Sequence, residues 1–191
     1  MVDMAGKGAG ARHPLLAALL AEREPAFTGE VSWRGGAMPL RLSAHTTPAD
    51  LPDELVTSVR CVVRVGELVV FCENPDGGHP LPGGRREPGE SHADTAAREV
   101  HEETGWLLER DSLRVLGWLH FEHLAPRPPG YAYPYPDFLQ VVFQGTATRR
   151  DGGPGWVDTD GYEQSSRLVS LAEARASTSD SLAAPVFLDL L

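Results

Sequence analysis

Between Gly84 and Trp106 the chain reads GRREPGESHADTAAREVHEETGW. Glu99, Glu102 and Glu103 stand three and four residues apart, a spacing that gathers side chains on one patch of an α-helix. Helix rules oppose that grouping. Like charges at this spacing cost about 0.2–0.5 kcal/mol per pair. Carboxylates in a last turn also face the negative end of the macrodipole, at about 0.3–1 kcal/mol each. A helix that concentrates acids there is built to meet a cation, and hard carboxylate oxygens select Mg²⁺, Mn²⁺ or Ca²⁺ over zinc. The bland alternative is a solvated acidic face.

The helix that must carry these acids has marked ends. Ser91 is a good N-cap, with Asp94 three residues on, and Gly105 sits where a helix stops in the left-handed conformation. Ala93, Ala97, Val100 and Thr104 follow helical spacing and are expected on the buried face. Upstream, Pro82-Gly83-Gly84 permits a tight backbone approach. Glu90 and Arg98 complete the pattern G-x5-E-x7-R-E-hydrophobic-x-E-E-x-G-hydrophobic.

This pattern resembles the Nudix box, with every defining polar and glycine position filled. Trp106 is the one departure, standing where the family usually has an aliphatic residue. The resemblance implies an α/β/α sandwich with a mixed β-sheet, the box forming a loop–helix–loop against it. It implies hydrolysis of a diphosphate linkage in a nucleoside diphosphate joined to another group, with Mg²⁺ as cofactor and Mn²⁺ as a substitute. Glu99, Glu102, Glu103 and the Gly84 carbonyl become the metal ligands, and Glu99, Glu103 and Arg98 the catalytic residues. Arg98 would pair with Glu90 or Glu102, leaving Glu90 in a supporting role. The general base is either Glu103 or Glu163, which lies ahead of Leu168-Val169-Ser170-Leu171.

The residues that sort Nudix subgroups are missing. Phe121, Glu122 and His123 occupy the places of the ADP-ribose proline and the dinucleoside-polyphosphate tyrosine, Pro126 comes too late, and the coenzyme A signature is lacking. Two rivals keep the fold: a ligand-binding sensor without hydrolysis, and an isopentenyl-diphosphate isomerase-like enzyme. The first usually loses box acids, and none is lost here. The second wants a pocket cysteine, which neither Cys61 nor Cys72 is placed to supply.

Composition sets outer bounds. The 191 residues suffice for one core, and a net charge of −10 argues against a nucleic-acid duplex as partner. Two isolated cysteines in apolar runs suggest buried reduced thiols and a cytoplasmic protein. Leu15–Ala21 is too short to span a bilayer and is followed by Glu22, Arg23 and Glu24 without a cleavage site, so it reads as a short helix and not as a signal or membrane anchor. The expected partner is a small-molecule diphosphate, with a homodimer possible.

Two segments follow, an extension over residues 1–55 and a Nudix domain over 56–191. In the first, Met1 to Arg12 should be mobile, and Pro14 to Glu24 helical with Leu15, Leu16, Leu19 and Leu20 on one side. Val31–Arg34 and Met38–Ser43 form a hairpin whose second strand Pro39 would confine to an edge. In the second, strands are expected at Val59–Val65, Leu68–Phe71, Leu113–Glu122 and Phe138–Thr148. Loops are expected at Asn74–Pro80, Leu124–Pro136 and Arg149–Asp160, a strand end entering a helix over Leu168–Ala176, and a final short helix over Pro185–Leu191. Tyr133, Tyr135 and Phe121 are candidates for the substrate pocket, against the alternative of rings packed on prolines. In His120-Phe121-Glu122-His123 a pocket-lining role is favoured over metal binding, since the run is not HExxH on a helix.

Overall fold

The computed structural model describes residues 11–152, 156, 158–159, 161–178 and 183–191. Of the segment expected to be mobile, Met1 to Arg12, positions 1–10 lie outside these, as do positions 153–155, 157 and 160 of the Gly/Asp loop. Arg12 is not mobile but held by ion pairs to Glu122 and Asp137. Strands β1 (Phe27–Trp33), β2 (Met38–His45), β3 (Val56–Val65), β4 (Leu68–Asn74), β5 (Gly77–His79), β7 (Arg114–His123) and β8 (Asp137–Arg150) run in the order β1-β2-β7-β8-β3-β4-β5. Short β6 (Trp106–Leu108) pairs with β8, and β9 (Ser165–Ser170) with β4. Among the described residues only β3 and β8 pair in parallel, so the sheet is mixed. The hairpin β1–β2 joins it through β2 against β7.

Helix α1 is Pro14–Glu22, α2 His92–Thr104, α3 Leu171–Ser177 and α4 Ala184–Leu188. Alternation along β3 separates two cores. Val59, Cys61 and Val63 pack with Ala96 and Val100 of α2 and Leu16 of α1, whereas Val62 lies with Ala174 of α3 and Phe187 of α4. Helices thus cover both faces, an α/β/α sandwich. No described helix is long and apolar enough to cross a membrane. Cys61 and Cys72 are free and buried, as expected.

One irregularity makes the site. β4 pairs with β3 only beside their turn, at Arg64↔Val69 and Val65↔Leu68. Further along, β3 bonds to the glycine segment instead. Val59 N–H donates to Gly84 O and Cys61 N–H to Pro82 O, both at 2.9 Å. The turn is therefore a surrogate strand in a gap of the sheet.

Four local expectations need correction. In α2 the buried residues are Thr95, Ala96, Val100 and Thr104, so Ala93 and Ala97 are only partly covered. The helix is rolled toward Ala96, which brings the Glu99 and Glu103 flank to the edge of the gap. Pro39 does not make β2 an edge strand, because pairing with β7 starts at Leu40 and the missing N–H costs no bond there. In α1, Leu16 and Leu19 are buried while Leu15 is exposed. The loop expected over Asn74–Pro80 also contains β5.

Candidate active site

Helix α2 holds its acids in place by its ends. Ser91 Oγ accepts from Asp94 N–H at 3.1 Å, and Gly105 closes the helix at φ 73°. One residue organises the acidic face. Arg98 donates to Glu90 (2.7 and 3.0 Å), to Glu99 and Glu102 (2.9 Å each) and to the Arg85 carbonyl (2.8 Å). The bond from Arg98 pulls the Glu90 carboxyl down to about 2. Glu90 also accepts from Thr95 Oγ1 and Glu87 N–H, so it is a buttress for Arg98.

A cleft of about 850 Å³ runs from this face across the sheet. Glu99, Glu102, Glu103, Glu163, Gly84 and Phe121 all line it. Glu103 Oε2 accepts from Gly83 N–H at 2.8 Å. Glu163 Oε1 accepts from Asn74 Nδ2 and His79 Nε2, each at 3.0 Å. Leu81 N–H donates to His79 Nδ1 at 3.3 Å, which places the ring hydrogen on Nε2 and aims it at Glu163.

The four cleft glutamates follow one rule. Each spends one oxygen on the protein: Glu99 Oε1 and Glu102 Oε2 on Arg98, Glu103 Oε2 on Gly83, Glu163 Oε1 on His79 and Asn74. The second oxygen of each has no hydrogen bond among the described residues, and Glu163 Oε2 is fully buried in that state. Burial first, then the charges of Glu163 and Glu99, push the Glu103 carboxyl up to about 8 against the help of Arg60 and Gly83. Burial also raises Glu99, despite Arg98. In Glu163 burial is outweighed by the bonds from His79 and Asn74, which hold it below the usual carboxylate range.

This donor set fits a hard dication: oxygen only, anionic, and partly unsatisfied. Gly84 fits it too, since a Cβ there would lie 2.5 Å from Glu99 Oε2. Among the described residues no three His, Cys, Asp or Glu groups are drawn together into a ready-made metal cage, because Arg98 and Gly83 tether the acids along the wall.

The sequence model of the NUDIX domain matches residues 54–190. The chain belongs to the Nudix family. The family match supports a hydrolase acting on phosphorus-containing acid anhydrides. Its fold is similar to that of a mutant form of the Bacillus subtilis pyrophosphohydrolase BsRppH, at 21% identity and TM-score 0.50 over 74% of this chain and 77% of that one. It is likewise similar to a NUDIX hydrolase from Nitrosomonas europaea, at 22% identity and TM-score 0.50 over 70% and 84%. No curated protein matches significantly.

Beyond the Nudix box the expected pocket residues separate. Phe121 lines the cleft and Tyr133 a smaller adjoining cavity. Tyr135 lines neither. Its hydroxyl bonds to the Ala125 carbonyl at 3.1 Å and its ring packs near His123, so it anchors the proline-rich loop. His120, Glu122 and His123 do not line the cleft either. Alternation sends Leu119 and Phe121 inward, while His120 bonds to Asp137 (2.7 Å) and Glu122 to Arg12 and Arg41 (2.8 Å each). Sequence reading missed His79, Asn74, Arg60 and Trp33. Arg60 carried a signal, a charge in the middle of an apolar strand, and it lies against the Leu81 and Gly83 carbonyls. The others become neighbours only through folding.

Proposed function

We propose that this Nudix protein is a Mg²⁺-dependent pyrophosphohydrolase of the cytoplasm that cleaves the diphosphate linkage of a nucleoside diphosphate derivative, with Mn²⁺ able to substitute. The observation that carries the reading is the row of four carboxylates, each with one tethered and one free oxygen, beside the Gly83–Gly84 turn. Glu99, Glu102, Glu103 and the Gly84 carbonyl would hold the ion. When bound, it supplies charge neutralisation of the phosphate oxygens and activation of water.

The chain's own residues do the rest. Arg98 fixes the rotamers of Glu99 and Glu102 and is itself braced by Glu90. Glu163 is the favoured general base: His79 and Asn74 orient it, its low pKa keeps it ionised, and its buried Oε2 is free to take a proton. Leu42, Leu119 and Phe121 add an apolar stretch to the lining of the cleft. Buried thiols are in keeping with a reducing compartment.

The test is incubation with a panel of nucleoside diphosphate derivatives and Mg²⁺. Phosphate-containing products are expected, abolished by EDTA, and reduced at least 100-fold in Glu102→Gln. Glu163→Gln should lower kcat by about 10²–10⁴-fold. An inert panel, with Glu102→Gln indistinguishable from the native protein, would overturn the reading.

A further inference from the structure

A second cavity of about 290 Å³ adjoins the acidic cleft and shares Trp33, Arg60, Gly84 and Arg85 with it. Its wall contains three arginines, Arg34, Arg60 and Arg85, and no carboxylate. That runs against the chain, whose 27 acids outnumber 17 Lys and Arg. Several arginines elsewhere find acids: Arg12, Arg41, Arg86, Arg98 and Arg167 are all in ion pairs. Among the described residues Arg34, Arg60 and Arg85 are in none. Arg60 donates to backbone carbonyls and to Gln140, and Arg85 to the Tyr133 hydroxyl while lying over that ring at 4.7 Å. These bonds orient the guanidinium groups without neutralising them. Arg127 donates to the Tyr131 carbonyl on the same rim, and it too is without an ion pair among the described residues.

Arg60 already lowers the Glu103 carboxyl pKa from the cleft side, whereas the Arg85 guanidinium is oriented by a neutral phenol and suits a phosphate oxygen. Arg34 and Arg85 are exposed and Arg60 is half-buried, so an anion can reach all three from solvent. Gly84 belongs to both cavities, so a phosphate chain laid along the glycine turn has the acids of α2 on one side and the arginines on the other. Trp33 stands in both walls, its ring tilted against Phe121 at 5.0 Å and Phe138 at 5.5 Å, an aromatic edge between the two ends.

We infer that this cavity seats a further phosphoryl group of the substrate, carried beyond the diphosphate that is cleaved. The preferred substrates are then diphosphates whose far half bears an additional phosphate, in place of a neutral sugar. A third phosphate in a linear chain and a phosphate ester on a far sugar share this chemistry. The inference rests on the proposed reading of the cleft as a diphosphate site.

Two measurements test it. The first titrates inorganic pyrophosphate calorimetrically into EDTA-treated protein, where the acidic cleft has no ion to recruit it. Binding is expected, and at least tenfold weaker in the Arg34→Gln/Arg85→Gln double variant with an unchanged unfolding midpoint. The second compares kcat/KM in Mg²⁺ for a nucleoside triphosphate and a nucleotide sugar, and for a dinucleotide with and without a ribose phosphate. The phosphate-bearing member of one pair should be favoured, which identifies the source, and the double variant should lower that ratio at least tenfold. Pyrophosphate binding that is absent, or equal in both proteins, overturns the inference. If binding behaves as expected but no substrate is cleaved, the anion seat stands and the hydrolytic reading falls.

Discussion

Glu103 Oε2 accepts the backbone N–H of Gly83 at 2.8 Å, which ties the last turn of α2 to the glycine segment that replaces β4 beside β3. The bond fixes both partners of the site at once. It also keeps a carboxyl in a buried place beside other acids, where its pKa rises to about 8.

That rise has a sign. A folded pKa above the unfolded value means the folded state holds the extra proton between about 4.5 and 8. The associated stability is complete below the lower value and is lost as pH climbs through the upper one. In EDTA, Glu103→Gln should therefore melt higher than the native protein at pH 8 and show little gain at pH 4.5, while losing activity. Mg²⁺ should narrow the gap at pH 8 by neutralising the carboxylate. Thermal melts at both pH values check this, and an equal gap at both would refute it.

Neighbouring glycines should fail differently. At Gly83, φ is 144° and a Cβ would lie 2.3 Å from the Val59 carbonyl oxygen, which is backbone. Gly83→Ala should cost about 3 kcal/mol or more, through strain and displacement of the segment from β3. At Gly84 the added Cβ meets the Glu99 carboxylate, 2.5 Å away and at the end of a rotatable chain. Gly84→Ala should cost less than about 1 kcal/mol in urea unfolding, yet lower kcat/KM at least tenfold because Glu99 is turned aside.

The sequence made α2 legible because its determinants are local: an N-cap, a left-handed glycine and an i, i+4 ion pair between Arg98 and Glu102. The grouping of Glu99, Glu102 and Glu103 on one flank of α2, and of Glu90 against Arg98, has the same local origin. The roll of the helix was not legible, since Ala93, Ala96 and Ala97 are equally apolar and only the gap between β3 and β4 decides which is buried. Trp33, His79 and Arg60 reach the cleft through pairings such as β2 with β7 and β3 with Pro82 and Gly84, which join segments far apart in the chain. No periodicity within one segment reports such a meeting.

Arg98 should tolerate no simple exchange of charge. Lys at that position keeps one cation but cannot serve Glu90, Glu99, Glu102 and the Arg85 carbonyl with a planar fork. Arg98→Lys should lose about 1.5–3 kcal/mol of stability and about 10–100-fold in activity. The half-saturating Mg²⁺ concentration should rise with it. An activity loss at unchanged Mg²⁺ requirement would place the role of Arg98 elsewhere.

His45 gives an independent pH test away from the site. It is 3% exposed, stacked on Trp118 at 3.9 Å, and neither ring nitrogen has a partner among the described residues. Burial, then the charges of His120 and Arg23, lowers its pKa to about 4. The folded state thus binds fewer protons than the unfolded one between about 4 and 6.5, so stability is lost as pH falls through that window. A shift of this size corresponds to about 3 kcal/mol at its limit. His45→Phe keeps the stacked ring and removes the titration. Its stability relative to the native protein, from urea unfolding at pH 7, 5.5 and 4.5, should grow steadily as the pH drops. Taking the difference between the two proteins cancels the opposite slope of Glu103, which both share. A difference that stays constant would mean that His45 remains protonated or finds a water partner in its pocket.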